Sequence, residues 1–248
     1  MERSADPLDA AAIDVPGVEV RVVERCTSTN DLALKVSSPV LIAAEEQTAG
    51  RGRRGRRWHS ARGAGITFSL ARRVRRPTRE LPALSLVAGV ASARALRSLG
   101  VDVRLKWPND LVAGGAKLGG ILVETRNGNH AVIGIGINCR PAPGLEAKLR
   151  RRVACLPVRV PRNEVIRRVA LALLQAIDEF ERRGLDSLRA EWEAMDAHAG
   201  QRIRVRLADG RVMSGLASGL ADDGSLQLAT RKGVQAVRSG RVVSARAG

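Results

Sequence analysis

The sequence predicts an α+β fold: a mixed, largely antiparallel sheet with flanking helices over residues 1–199, followed by a small β-barrel over residues 200–248. Three observations predict it. Short apolar runs, several alternating with polar residues, recur along the chain as strands do. The middle strands are joined by glycine turns, which suit antiparallel hairpins. From Gln201 the pattern changes to five short strands with Gly or Asp-Gly turns between them, the spacing of a small barrel.

The elements follow in order. Residues 18–25 (VEVRVVER) alternate as a strand, and the hydroxyls of Thr27-Ser28-Thr29-Asn30 start a short helix over DLALKV. Residues 39–44 form a buried strand running into Glu45-Glu46-Gln47, and a Gly/Arg loop over 50–57 leads to another strand at 65–71. Apolar residues at helical spacing predict the first long helix from Leu81 to Leu99. Residues 103–107 are a strand ended by Pro108. Leu111-Val112, the Gly114-Gly115 turn and the run from Lys117 to Thr125 read as a hairpin. Asn127-Gly128 makes a second turn, and AVIGIGINC (131–139) is a buried strand. Amphipathic helices follow over 161–183 and 185–197, and the boundary with the terminal strands falls at Ala199-Gly200.

Composition narrows the function. With 44% hydrophobic residues, the chain of 248 residues is no disordered basic protein despite its net charge of +17. Its aromatics are Trp58, Trp107, Trp192, Phe68 and Phe180, with no Tyr, so stacked-aromatic binding of single strands is disfavoured. The cysteines, Cys26, Cys139 and Cys155, have no metal-ligand spacing and suit a reducing compartment. Without a leader or a membrane-length apolar run, a soluble cytoplasmic protein is expected. Eleven Arg and no acid lie between Arg51 and Arg79, a place that expects anions.

Three clusters carry the chemistry. Gly50-Arg51-Gly52-Arg53-Arg54-Gly55 satisfies GxGxxG but runs into Arg56-Arg57-Trp58 rather than a helix, so it is no dinucleotide fingerprint. Taken alone it reads as a solvated basic loop, or as a flexible segment wrapping a phosphorylated ligand with guanidinium forks. Lys106-Trp107-Pro108-Asn109-Asp110 and Lys117-Leu118-Gly119-Gly120-Ile121-Leu122 hold two of only five lysines; Lys117 taken alone reads as a solvated hairpin lysine, or as a compact ammonium placed where a guanidinium would not fit. Gly134-Ile135-Gly136-Ile137-Asn138 puts glycines on alternate strand positions, leaving a shelf bare of side chains for a slim ligand.

These motifs, with Ser28-Thr29-Asn30 and Gln47, occur in an order that resembles the biotin protein ligases (biotin–acetyl-CoA-carboxylase ligases) from about residue 24 to the C-terminus. The resemblance implies an SH3-like form for the terminal barrel and a two-step acyl transfer. Biotin's carboxylate attacks the α-phosphate of ATP, with Mg²⁺, to give biotinyl-5′-AMP and pyrophosphate. A lysine of a biotin carboxyl carrier domain then takes the biotin and releases AMP. Carried over by position, Ser28, Thr29, Asn30, Gln47, Gly50, Arg51, Gly52 and Arg53 are expected at biotin, with Gly119, Gly120, Gly134 and Gly136 giving it room. Arg53, Arg54, Arg56, Trp58, Asn109 and Asn138 are expected at ATP. Lys117 would bridge biotin and the α-phosphate, Arg53 would assist, and Asp110 would orient or deprotonate the incoming amine; no metal-ligating side chain is expected.

Only about two dozen residues precede the matching region, so a monofunctional ligase without DNA binding is expected, its oligomeric state open between monomer and homodimer. Two other readings remain: lipoate or octanoate attachment, and a basic RNA-binding protein. The Arg-rich loop and the Lys106–Asp110 cluster argue against the first; Lys117 and the glycine strand argue against the second.

Overall fold

The computed structural model describes residues 6–36, 39–59, 61–140, 144–149, 152–156 and 160–246. In chain order the elements are α1 (Ala10–Ile13), β1 (Glu19–Cys26), α2 (Thr29–Ala33), β2 (Val40–Gln47), β3 (Gly65–Arg73), α3 (Leu84–Ser98), β4 (Arg104–Lys106), β5 (Asp110–Ala113), β6 (Ala116–Arg126) and β7 (His130–Asn138). Then come α4 (Leu145–Leu149), α5 (Arg162–Arg183), α6 (Asp186–Ala194) and the terminal strands β8 (Arg202–Leu207), β9 (Val212–Leu220), β10 (Leu226–Thr230), β11 (Gly233–Val237) and β12 (Gly240–Arg246).

Seven strands form one sheet in the order β1-β2-β3-β7-β6-β5-β4. Only β1 and β2 run parallel; the other neighbours are antiparallel, as the hairpin signals predict. The turns behind those signals use left-handed residues, Gly114 and Gly115 at φ 54° and 73°, and Asn127 and Gly128 at 50° and 81°, the geometry of a two-residue hairpin. The first long helix begins later than its periodicity suggests. Thr78–Ala83 is a 3₁₀ turn containing Pro82, and the α-helix opens at Leu84. Proline has no N–H to give an α-helical bond and pushes the residue before it away from α geometry. Helices α3 and α5 cover one face of the sheet, and their apolar sides join Phe68, Ile133 and Trp192 in the main core.

Glu45 on β2 and Arg162 at the start of α5 form a buried ion pair at 2.8 Å, both side chains about 5% exposed or less. The Leu8 amide donates to the same carboxylate at 2.7 Å. This pair fastens helix and N-terminal segment to the sheet.

The expected terminal barrel is corrected by the structure. Strands β8–β12 make an open sheet in the order β11-β10-β9-β8-β12. β12 pairs with β8, β11 with β10, and no ladder joins β11 to β12 among the described residues. Strand count and turns are legible in sequence, but closure depends on tilt and stagger, which are not. The sheet also has cover without closing: Trp107 Nε1 donates to Gly224 O at 3.2 Å, and Gly224 sits against Leu86 and Leu185. Ile203, Val205, Leu226 and Leu228 thereby belong to the same core as the large sheet.

Cys26, Cys139 and Cys155 are free. Among the described residues no helix is long and apolar enough to cross a membrane.

Candidate active site

One face of the large sheet carries a cavity of about 470 Å³. Its floor is Gly120–Leu122 of β6 and Gly134–Gly136 of β7, with Thr67 and Phe68 of β3 beside them. The walls are Ser28–Asn30 at the head of α2, Gln47, the 51–58 loop, the Lys106–Asp110 turn and Gly240–Val243 of β12. Thus motifs separated by about a hundred residues in sequence meet in one space, and Lys117 and Arg53 line the same cavity.

A connected polar network stands at one end. Gln47 Oε1 accepts from the Thr29 amide (2.7 Å) and hydroxyl (3.2 Å). Ser69, fully buried, donates to Asn30 Oδ1 at 2.6 Å and lies 2.7 Å from Thr29 Oγ1. Asn30 Nδ2 donates to Glu124 Oε2 at 2.7 Å. Glu124 also accepts from Arg51 at 3.1 Å, and Arg51 pairs with Asp31 at 2.6 Å. Ser28 opens α2 without a side-chain cap bond, so its hydroxyl is not used by the helix it starts.

The loop is an ordered turn rather than an open coil. Trp58 N donates to Gly50 O at 2.9 Å, Gly52 N to Arg56 O at 2.7 Å, and Arg51 and Arg57 form an antiparallel bridge. Arg54 takes a left-handed conformation, φ 59° and ψ 42°, rare outside glycine. The loop ends approach so closely that a Cβ on Gly50 would stand 2.7 Å from Trp58 O. Arg54 also reaches Ser239 at 3.4 Å, linking loop and terminal sheet.

Eight cationic side chains line the cavity (Arg51, Arg53, Arg54, Arg56, Arg57, Lys106, Lys117 and Arg241) against one carboxylate, Asp110. Arg51 is already neutralised by Asp31 and Glu124. Lys117 is ion-paired with Asp110, and its ammonium lies 5.9 Å from the centre of the Trp58 ring. Burial first, and then the charge of Arg54, lowers the pKa of Arg53. A cation held at such a cost gains from an anion placed beside it. Among the described residues no group of three His, Cys, Asp or Glu side chains is arranged to hold a metal ion.

Not every expected residue faces this space. The bare shelf is shared with the protein's own side chains: a Cβ on Gly134 would run into the Asn30 carboxamide, and one on Gly136 into the Trp58 indole. Gly120 does face the cavity, with its Cβ position 3.0 Å from Lys117 Nζ. A Cβ on Gly119 would instead stand 2.6 Å from Gly136 O, so its missing side chain serves strand packing. Asn138 does not line this cavity but a small pocket beside it with Trp58 and Lys117, its carboxamide donating to Lys117 O at 3.3 Å and Ala154 O at 3.1 Å. Asn109 lines the cavity while donating to Ile121 O at 2.8 Å.

Sequence reasoning missed Ser69, Asp31, Glu124 and the β12 segment. For two of them a signal exists. Thr67 and Ser69 are polar positions two apart in an apolar strand, and Gly120, Leu122 and Glu124 share one face of β6 by the same alternation. Nothing in the sequence places β12 at the cavity, because that contact depends on how the two sheets meet.

The "Biotin/lipoate A/B protein ligase family" matches residues 22–138, and the "Biotin protein ligase C terminal domain" matches residues 198–243. The biotin–[acetyl-CoA-carboxylase] ligase of Mycobacterium tuberculosis is 35% identical over 240 residues, 92% of this chain and 90% of that protein. The bifunctional ligase/repressor BirA of Escherichia coli is 34% identical over 86% of this chain. The chain spans 70% of that protein's length, and 64% of the Bacillus subtilis ligase/repressor. A solved biotin protein ligase from Aquifex aeolicus, in complex with biotin and ATP, superposes with a TM-score of 0.79 at 26% identity, covering 93% of this chain and 99% of that one. In fold, in order of motifs and in sequence over most of its length, the chain belongs to the biotin protein ligases.

Proposed function

We propose that this cavity is where biotin and MgATP react to biotinyl-5′-AMP and where biotin passes to a lysine of a biotin carboxyl carrier domain. The observation that carries the reading is the convergence of Lys117, Arg53 and the glycine floor in one space with a hydroxyl and carboxamide cluster at its end. A ureido ring offers both donors and acceptors, and Ser28, Thr29, Asn30 and Gln47 supply their complement. Two anions must then meet. A biotin carboxylate oxygen attacks the α-phosphorus, the bond to the bridging oxygen breaks, and pyrophosphate leaves. Lys117, Arg53, Arg54 and Arg56 oppose the repulsion and hold the charge that develops on the α-phosphate. Mg²⁺ enters as part of the substrate, on the triphosphate.

In the second half-reaction the carrier's lysine amine attacks the acyl carbon and AMP leaves. The amine must shed a proton, and Asp110 is the carboxylate at hand once adenylate draws Lys117 away from it. The 51–58 loop and Trp58 cover the mixed anhydride and keep water from it. Residues 1–199 thus carry the chemistry, and residues 200–248 close one side of the site through β12.

Biotin-dependent exchange of pyrophosphate into ATP tests the first step. Lys117→Ala is expected to lower it by at least about a hundredfold, and lipoate in place of biotin to give none. Exchange that survives in Lys117→Ala, or that lipoate supports equally well, would remove the assignment.

A further inference from the structure

On β8 the side chains of Arg202, Arg204 and Arg206 alternate with buried Ile203 and Val205, so all three guanidiniums stand on the exposed face of the terminal sheet. Their spacing along the strand is about 6.8 Å from one to the next. Arg241 of β12 lies directly opposite Arg206. Like charges facing each other across a ladder destabilise the sheet. Several other exposed or half-buried arginines are paired with carboxylates, among them Arg72 with Asp178, Arg94 with Glu191 and Arg189 with Asp222. Among the described residues none of Arg202, Arg204, Arg206 and Arg241 has an acidic partner within 4.0 Å.

Two further features say what this face meets. The chain's exposed large apolar side chains include Val212 and Leu216, 40% and 39% exposed. In the β8–β9 register they stand opposite Arg206 and Arg202, on the same face. A phosphate backbone gives such side chains nothing to bury, whereas the surface of a folded acidic protein offers both carboxylates and apolar contacts. Arg241 meanwhile lines the active-site cavity, so the face runs up to the place where an acceptor lysine has to enter.

We propose that the outer face of β8 and β9, with Arg202, Arg204 and Arg206 as its cationic row and Val212 and Leu216 as its apolar anchors, docks the carrier domain through an acidic surface beside the acceptor lysine. This rests on the ligase reading above. The row steers the carrier electrostatically and fixes its orientation, and the anchors supply burial. Adenylate formation needs no carrier, so the row acts only on the second substrate.

The test separates the two half-reactions. A double variant, Arg204→Glu with Arg206→Glu, and its neutral counterpart, Arg204→Gln with Arg206→Gln, are assayed for biotin-dependent ATP–pyrophosphate exchange and for biotin transfer to an apo biotin carboxyl carrier domain. Exchange is expected to stay within about twofold, showing a folded enzyme with an intact site. The kcat/KM for the carrier is expected to fall at least about tenfold in the Glu variant through KM, and less in the Gln variant. In the wild type it should fall steeply with added salt, and in the Glu variant this dependence should disappear. Transfer that is unchanged in both variants, while exchange is normal, overturns the docking face and leaves the ligase reading standing. Wild-type protein without exchange overturns that reading and the docking face with it. Loss of binding to a short DNA duplex with no change in transfer would assign the row to nucleic acid instead.

Discussion

At Glu124 one carboxylate accepts from both Asn30 and Arg51, so it joins the polar end of the cavity to the first arginine of the loop. Removing it leaves Arg51 on Asp31 alone, and Asn30 held only by Ser69 and the longer bond from its Nδ2 to Leu122 O. Glu124→Ala is expected to raise KM for biotin about tenfold or more with KM for ATP little changed, and Glu124→Gln to recover most of the loss; equal effects of the two variants on both substrates would assign Glu124 a purely structural part. Limited trypsin digestion, which reads the exposure of the Arg51–Arg57 loop, should cut the Ala variant faster. A second pair of residues contributes to the acid response in opposite senses. Burial raises Asp196 to about 6, and burial, with Lys106 adding its charge, lowers His198 to about 4. Above its unfolded value of 3.8, Asp196 holds its proton better folded than unfolded, so its contribution to stability falls as pH rises to about 6. Below 6.5, His198 is protonated more readily in the unfolded chain, so its contribution falls as pH drops towards about 4. The two slopes oppose one another. Relative to the parent, Asp196→Asn should make urea-unfolding stability rise more steeply between about pH 4 and 6.5, and His198→Gln should make it rise less steeply; parallel curves for the two variants would contradict the assignment.

Strand β7 does two jobs with one alternation. Ile133, Ile135 and Ile137 face the core, while Gly134 and Gly136 admit Asn30 and Trp58 on the other face. Gly134→Ala pushes on Asn30 and so on the network through Ser69 and Glu124. Gly136→Ala pushes on the Trp58 indole and so on the loop. The first is expected to weaken biotin affinity chiefly, and the second to slow exchange through ATP. Each should cost on the order of 1–3 kcal/mol of stability as neighbours shift. Isothermal titration with biotin alone distinguishes them, since only Gly134→Ala should lower that affinity sharply. The period-two pattern that makes this strand legible also shows which glycines share a face. It does not show that side chains from α2 and the loop fill the space they leave, because those contacts come from residues more than sixty positions away.

The two sheets share one apolar core, with Trp107 of the large unit bonded to Gly224 of the small one and Glu193 of α6 accepting from Leu220 N at 2.8 Å. Heat is therefore expected to unfold the chain in a single transition, with equal calorimetric and van't Hoff enthalpies. Two separated transitions would show the sheets to be independent. Much of this molecule could be read in one dimension. The hairpin turns, the helix periods, the Arg/Gly loop, Lys117 and the glycine strand are local patterns, and chain stereochemistry and burial translate them directly into elements. Pairing order within each sheet, the open edge where a barrel is expected, Glu124 and Ser69 behind the polar end of the cavity, and β12 beside the cavity were decided only in three dimensions. Each depends on which distant segments come to lie side by side. That choice is made by the sum of many weak contacts across the core, and no short stretch of residues contains it.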